Sequence, residues 1–556
     1  NIVCADALIQ WDSEQSRARN EAVPLTPWPR AAVVIGNPPF LGAKRLKPER
    51  GADYVNAVRK AFPDVPGMAD YCVYWLRRTH DHLPVCTQED PVAGRAGLVG
   101  TQNIRNNQSR VGGLDYIAQS GVIVEAVENQ PWSGEANVHV SIVNWVKTPF
   151  VTRLVPGARH SELLIAAKKK LWHKVDPSLP RFPDEESALH QRVTTPSKRS
   201  EARKDKSFEL AYLETALINS ALSAELSVSQ ARVLKCNQEP PRVFNGQFTR
   251  HQGFVLSPAE AGEMLKCDRK NARVVHPFLI GREMITHVKP LRWVIDFQKI
   301  DILQSQQFDQ PFRRIRSTVL PHVKSYAERE RRKTRIERGQ DQTWLKSWWQ
   351  HFRCRKELID ATRKLSRYLA CAEVTKRPIF CFVDSKIRPD HTLEVFVLED
   401  DYSFGILQSN THWQWFIAKC SKLKSDFRYT PESVFDTFPW PQSPTKKQIN
   451  AVVAAGREIR NIRVKALPRI KGGLRALYRT LELPGNNPLK EAHAALDAAV
   501  LDAYGFDPDG DLLSQLLALN LEVARRLDAR EPVIAPGVPP SYDDPTALVT
   551  KDCIGP

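Results

Sequence analysis

The chain is 556 residues long, enough for about three domains that each bury a core. Lys and Arg total 80 against 63 Asp and Glu, a formal charge of +17 at pH 7, which suits a polyanionic partner and argues against an acid-dominated surface. No apolar run approaches the length of a membrane span, and ten cysteines without CxxC or paired Cys/His spacing argue against a disulfide framework or a zinc site and for a reducing, cytoplasmic setting.

The sequence opens at Asn1, and Ile2-Val3-Cys4-Ala5 reads as an interior strand closed by Asp6, so the expectation is a piece of a longer protein. Ala7-Leu8-Ile9-Gln10-Trp11 follows, and on a plain reading Asp6 caps the next helix. A linker with Pro24, Pro27 and Pro29 leads to a second strand, Ala31 to Gly36, which stops abruptly at a glycine and two prolines. Asn37-Pro38-Pro39-Phe40 then projects from the C-terminal edge of that strand, where open α/β sheets bind ligands. Beyond it the chain reads as a loop at Leu41 to Lys44, helical spacing from Asp70 to Leu76, and a strand with a switch-point loop at Gly97 to Asn103. A helix end and strand follow at Ile117 to Val127, then a hairpin strand from Trp132 to Trp145.

Residues 148 to about 210 are charged and proline-bearing and read as a connector, with helical spacing resuming from Leu210 to Val228. From about 245 the composition changes. Between 310 and 377 basic residues heavily outnumber acidic ones and are interleaved with Tyr326, Trp344, Trp348, Trp349, Phe352 and Tyr368. Cations neutralise phosphates and planar side chains stack or wedge, so this mixture suits a DNA-facing surface; the bland alternative is an amphipathic helix with a solvated basic face, as at Glu328 to Arg338. Strands meeting proline-rich turns through Pro441 read on their own as a β-rich module. Leu474 to Tyr478, Ala492 to Tyr504 and Leu512 to Leu527 have helical apolar spacing and predict a small helical domain.

An exocyclic amine on a nucleobase is a poor nucleophile, because its lone pair is delocalised into the ring. Acceptors on both of its hydrogens draw the nitrogen towards tetrahedral geometry; the Asn37 side-chain oxygen and the Pro38 carbonyl are two such acceptors. Pro38 and Pro39 fix φ and remove competing donors, and Phe40 offers a ring face to a base already out of its duplex. Read alone, the tetrapeptide is also an ordinary tight turn. Here the chain resembles the amino-methyltransferases of DNA, whose motif is (Asn/Asp/Ser)-Pro-Pro-(Tyr/Phe/Trp). That resemblance implies S-adenosylmethionine as methyl donor, its adenine amine held by Asp6 with Ala7 and Leu8 nearby, and places the block around Trp132 at a second wall of the base pocket. The family's first cofactor motif is expected upstream of Asp6, since no GxGxxG-like turn lies downstream.

Arg367-Tyr368-Leu369, Thr392 to Val397, Asp400 to Ser409 and Tyr429 to Pro441 further resemble the target-recognition region of MmeI-like enzymes, adenine methyltransferases of single-chain restriction-modification systems. The implied fold is α/β: the C-terminal part of a doubly wound class I S-adenosylmethionine-dependent methyltransferase sheet over 1–150, a connector with helices over 151–244, a mixed α+β target-recognition domain over 245–442 and a helical domain over 443–556. The implied activity is methylation of adenine N6, flipped out of double-stranded DNA, by Asn37, Pro38, Pro39 and Phe40, with no metal and no membrane. The same acceptors fit cytosine N4. A bifunctional enzyme with an upstream nuclease and a catalytically silent specificity module are the other readings.

Overall fold

Short apolar runs alternating with helices give the first of two units, Asn1–Ser229, a seven-stranded mixed sheet; the second unit is Gln230–Pro556. The computed structural model describes residues 5–11, 23–87, 89–90, 92–131, 139–148, 169–175, 189–194, 209–215, 217–223, 228, 230–298, 300–334, 339–423 and 426–556. The expected strand residues Ile2 to Cys4 and the block Trp132 to Val138 lie outside them.

In the first unit β1 (Val33–Gly36) runs parallel to β2 (Arg95–Thr101), with Gly36 opposite Leu98. A parallel pair requires a crossover, here α1 (Ala43–Arg50), α2 (Ala52–Ala61) and α3 (Cys72–His82). β3 (Gly121–Pro131) and β4 (His139–Lys147) form an antiparallel pair, and β4 also pairs with β2, giving the order β1-β2-β4-β3. α3 packs Val73, Tyr74 and Leu76 into the core below the sheet, with Ile117 and Trp145. The Trp145 indole donates to His80 Nδ1 (3.1 Å), so His80 Nε2 carries the proton and donates to Ser120 Oγ (2.9 Å). Burial pushes the His80 pKa down to about 4, which makes it a neutral core residue and not an acid or base.

The connector with helices expected over 151–244 is corrected. β5 (Lys169–Val175), β6 (Leu189–Thr194) and β7 (Glu209–Thr215) continue the sheet in the order β3-β5-β7-β6. Leu210 and Tyr212 are both buried, a period of two that a pleated strand satisfies and a helix does not. Trp172 of β5 donates its indole N–H to Glu125 of β3 (2.9 Å), joining the added strands to the first four.

The second unit holds three sheets. The first runs β15 (Arg388–Pro389), β10 (Val275–Leu279), β11 (Arg292–Ile295), β9 (Val255–Leu256). The second runs β14 (Cys381–Asp384), β12 (Arg367–Ala372), β16 (Leu393–Phe396), β8 (Val243–Asn245). The third is β13 (Val374–Thr375), β18 (Asp426–Arg428), β17 (Ser421–Leu423).

Caps legible in the sequence start its helices. Ser257 and Glu260 form a capping box ahead of α4 (Pro258–Cys267), and Thr445 and Gln448 do the same for α9 (Lys446–Ala466), which follows α5 (Asp309–Thr318), α6 (Leu320–Thr334), α7 (Asp401–Gln408) and α8 (Asn410–Lys419). α10 (Pro488–Tyr504) begins at Asn487 with proline in its first turn and ends on Gly505, whose φ of 68° a side chain would resist. With α11 (Leu512–Asp528) these form the helical C-terminal region. Among the described residues no helix is long and apolar enough to cross a membrane.

Two expectations for this unit change. The stretch 401–419 is helical, not β-rich, because Asp400 and Ser409 each cap a helix through a side-chain oxygen that accepts from the third residue on, Ser403 and His412. Trp344, Trp348 and Tyr368 are buried, so these rings pack the core and do not face DNA. Tyr326, Trp344 and Phe352 surround the Arg250 guanidinium at 5.3, 5.5 and 4.4 Å, a cation held over ring faces inside the unit. What remains open on α5 and α6 is the basic face, with Arg313, Arg316, Lys324, Arg329, Arg331 and Arg332 exposed.

Glu394 of β16 is buried; Asn245 donates to its Oε1 (3.2 Å), and its Oε2 has no partner. Burial, with Glu373 nearby, raises its pKa to about 8, so the carboxyl is protonated at neutral pH. The folded state therefore keeps a proton that the unfolded chain releases near the ordinary carboxylate value. The stability this gives is present at low pH and is lost as pH rises through about 8. Glu394→Gln should flatten that loss, its advantage over wild type growing between pH 6 and 9 by on the order of 1–2 kcal/mol in denaturant titrations. A difference independent of pH would show that Glu394 does not titrate there.

Candidate active site

β1 ends on Gly36, where a Cβ would fall 2.9 Å from a methyl of the Leu98 side chain opposite it, which would have to shift. The next four residues stand at the carboxyl end of that pair. Asn37 is exposed, Pro38 buried, Pro39 exposed and Phe40 half-buried. The buried proline anchors the turn, and its exposed neighbour Asn37 leaves an amide available to a partner from solvent.

The loop after Phe40 is tied down by the start of α3. The Leu41 carbonyl accepts from the Tyr71 N–H (2.9 Å), and the Gly42 carbonyl accepts from the Arg45 N–H (2.9 Å) as α1 begins. Tyr71 also starts a hydroxyl relay. Arg50 donates to the Tyr71 oxygen (3.4 Å), Tyr71 lies 2.6 Å from the Tyr54 hydroxyl, and Tyr54 donates to Asp6 Oδ2 (2.8 Å). A carboxylate only accepts, so the proton of Tyr54 points to Asp6 and that of Tyr71 to Tyr54. Burial is the largest cause that raises the Tyr54 pKa, with the Tyr71 and Asp6 bonds adding to it, so the phenol stays a donor.

Asp6 Oδ1 accepts from the Leu8 and Ile9 N–H groups at 2.9 and 3.1 Å. No helix follows at 7–11, so the helix-capping reading of Asp6 is corrected: one oxygen closes a local turn and the tyrosine relay fixes the other. Leu8 is fully buried in the core, so only its backbone faces Asp6; the Ala7 carbonyl accepts from the Trp28 indole (2.8 Å). Three of roughly four lone-pair sites on the carboxylate are filled, which leaves one acceptor site for an amine. The residues present therefore fit one edge of an adenosyl cofactor. Trp132, the expected second wall, lies outside the described residues. No group of three or more His, Cys, Asp or Glu side chains that could hold a metal is found among the described residues.

Sequence reasoning missed Tyr54, Tyr71 and Asp70. Both tyrosines sit in helical apolar runs, where a core role was the natural reading, and Asp70 looked like the polar start of one. Only the crossover brings them beside Asp6 and the Asn37 turn.

Residues 368–442 match the family described as MmeI, target recognition domain. DNA methyltransferase A of Bacillus subtilis (strain 168) is 34% identical over 137 residues, which are 24% of this chain and 15% of that protein. Among solved structures, the type IIL restriction-modification enzyme MmeI in complex with DNA superposes with a TM-score of 0.62 at 17% identity, over 89% of this chain and 57% of MmeI. The DrdV–DNA complex aligns over 77% of this chain and 44% of its own at 11% identity, with a TM-score of 0.31. The chain thus spans little more than half of MmeI and a small fraction of the methyltransferase. Residues 368–442 are thus similar to the MmeI target recognition domain, and the chain shares the mixed α/β fold of MmeI over 89% of its length.

Proposed function

We propose that this chain carries the modification activity of a restriction-modification system, transferring a methyl group from S-adenosylmethionine to adenine N6 in duplex DNA at sites chosen by residues 245–442. The observation that carries this reading is the Asn37-Pro38-Pro39-Phe40 turn at the carboxyl end of a parallel strand pair, with Asn37 exposed and Pro38 buried. The DNA methyltransferase relative and the DNA-bound MmeI fold support it. A cytoplasmic setting accords with both.

When bound, S-adenosylmethionine supplies an electrophilic methyl group. Asp6, oriented by Tyr54 and by the Leu8 and Ile9 N–H groups, would accept the adenine amine of the cofactor. The Asn37 side-chain oxygen and the Pro38 carbonyl would accept the two hydrogens of the target amine, localising its lone pair for in-line attack. Phe40 would stack on the extruded base. Catalysis in this scheme is positioning and polarisation by preorganised acceptors.

Nucleoside analysis of DNA methylated by the protein should show N6-methyladenine; N4-methylcytosine alone would replace the substrate assignment. Exchanging residues 245–442 for the matching region of a relative should move the modified sequence to that of the donor. An unchanged site after the exchange would place specificity elsewhere.

A further inference from the structure

Asp70 is the least expected group beside this site. It is 6% exposed, and no ion pair to it is found among the described residues. Its Oδ2 accepts from Thr101 Oγ1 (2.8 Å) and Asn103 Nδ2 (2.9 Å), both at the carboxyl end of β2. Its N–H donates to Ser109 Oγ (3.0 Å), and the Met68 N–H donates to Gln108 Oε1 (3.2 Å). Cys72 lies 3.9 Å from Thr101 Oγ1; that hydroxyl is already committed to Asp70, so the thiol donates, and burial holds it protonated by raising its pKa to about 12.

Residues 68–72 therefore bracket two loops. One side grips the end of β2 and the turn after it. The other holds the segment that follows Phe40 through the Tyr71 N–H on the Leu41 carbonyl, one residue along the backbone from Asp70. A buried carboxylate held by two neutral donors is an expensive way to build a loop. Both donors come from the end of β2 and its following turn, at ordinary hydrogen-bond lengths, so the Asp70 side chain fixes where that end stands against the start of α3.

We infer that Asp70 is a positioning residue for the Asn37-Pro38-Pro39-Phe40 turn: with Thr101 and Asn103 it locks the ends of β1 and β2 together and sets where Phe40 and the Asn37 acceptor stand. The inference rests on the methyltransfer reading for its consequence and on geometry alone for the lock. Asp70 does not touch the reacting atoms.

Hydrogen exchange measured on the whole chain tests the lock without any need for turnover. In Asp70→Ala the amides of Phe40 to Lys44 should exchange at least tenfold faster, while those of β4 keep their wild-type rates. Asp70→Asn retains an oxygen for Thr101 and Asn103 and should recover most of the protection. Thr101→Val, which removes one donor without stranding a charge, should give an intermediate loosening and serves if Asp70→Ala does not fold. Methyl transfer by Asp70→Ala should fall at least tenfold in kcat, with a smaller fall in Thr101→Val and most of the rate recovered in Asp70→Asn, and DNA affinity should stay within twofold of wild type in all three. Unchanged exchange at residues 40–44, or acceleration spread evenly over β2 and β4, overturns the proposal. If the loop loosens as expected but Asn37→Ala methylates at the wild-type rate, the lock stands and the active-site reading falls.

Discussion

Asn37→Ala should methylate DNA about a hundredfold more slowly than wild type, the usual loss of on the order of 3 kcal/mol when one preorganised acceptor is withdrawn from a transition state. The size of the effect follows from placement. Asn37 is exposed at the end of β1, so its truncation should change folding stability by no more than about 0.5 kcal/mol. Binding to DNA should survive as well, since on the proposed reading residues 245–442 select the site. The whole cost then falls on kcat, which single-turnover methyl transfer measures directly. Phe40→Ala is the informative contrast. Its ring would contribute about 1–3 kcal/mol of stacking to the extruded base before chemistry begins, so its loss should lower both retention of the flipped base and the rate. 2-Aminopurine at the target position separates the two, because its fluorescence follows extrusion and not methylation. Wild-type turnover by Asn37→Ala would leave the tetrapeptide as a turn.

How much of this was legible in the sequence depends on the range of the interaction involved. The β1 turn was legible because Gly36 and two prolines act within four residues, and the C-terminal helices because Asn487, Pro488 and Gly505 mark their ends locally. Strands β5 to β7 were not, since Leu210 and Tyr212 are one short alternation among charges and their pairing partners stand far away in sequence. The helices over 401–419 were legible in principle, through Asp400 and Ser409 as caps, but the apolar residues between those caps read equally well as strand. Aromatic residues among cations do not reveal whether a ring faces DNA or the core. Trp344 is buried because α6 and the helix Gln340–Lys346 pack together, and only a tertiary contact records that. The Arg50–Tyr71–Tyr54–Asp6 relay belongs to the same class, since the crossover between β1 and β2 carries three of its members to Asp6.

Asp401→Ala should destabilise the second unit by about 3–5 kcal/mol, the range for removing one partner from a buried ionic cluster. Asp401 is 0% exposed at the start of α7 and accepts from Arg367 (2.7 Å), Arg457 (2.6 Å) and Arg460 (2.8 Å). Arg367 and Arg460 also reach Asp552 at 3.1 and 2.6 Å, so one carboxylate in the core and one near the C-terminus share the same two guanidiniums. The Phe382 ring lies 3.5 Å from the Arg367 carbon and 5.2 Å from that of Arg460, which leaves water little access. Without Asp401, both buried cations depend on Asp552, whose side chain is 45% exposed and holds them less firmly. The C-terminal segment should loosen with it. Ile554 donates its N–H to the Phe382 carbonyl (2.8 Å) and accepts from the Asp384 N–H (2.9 Å), extending the sheet edge at β14 only while Thr550 and Asp552 stay docked on the arginines. Amides of residues 549–556 should therefore lose protection first in Asp401→Ala, and site-specific DNA binding should fall with them, because β12 and β14 lie within residues 368–442 or directly beside them. Asp552→Ala removes the exposed partner and should cost less than half as much in denaturant titrations. Equal losses in the two variants, or a loss below about 1 kcal/mol in Asp401→Ala, would show that the core carboxylate does not organise the cluster.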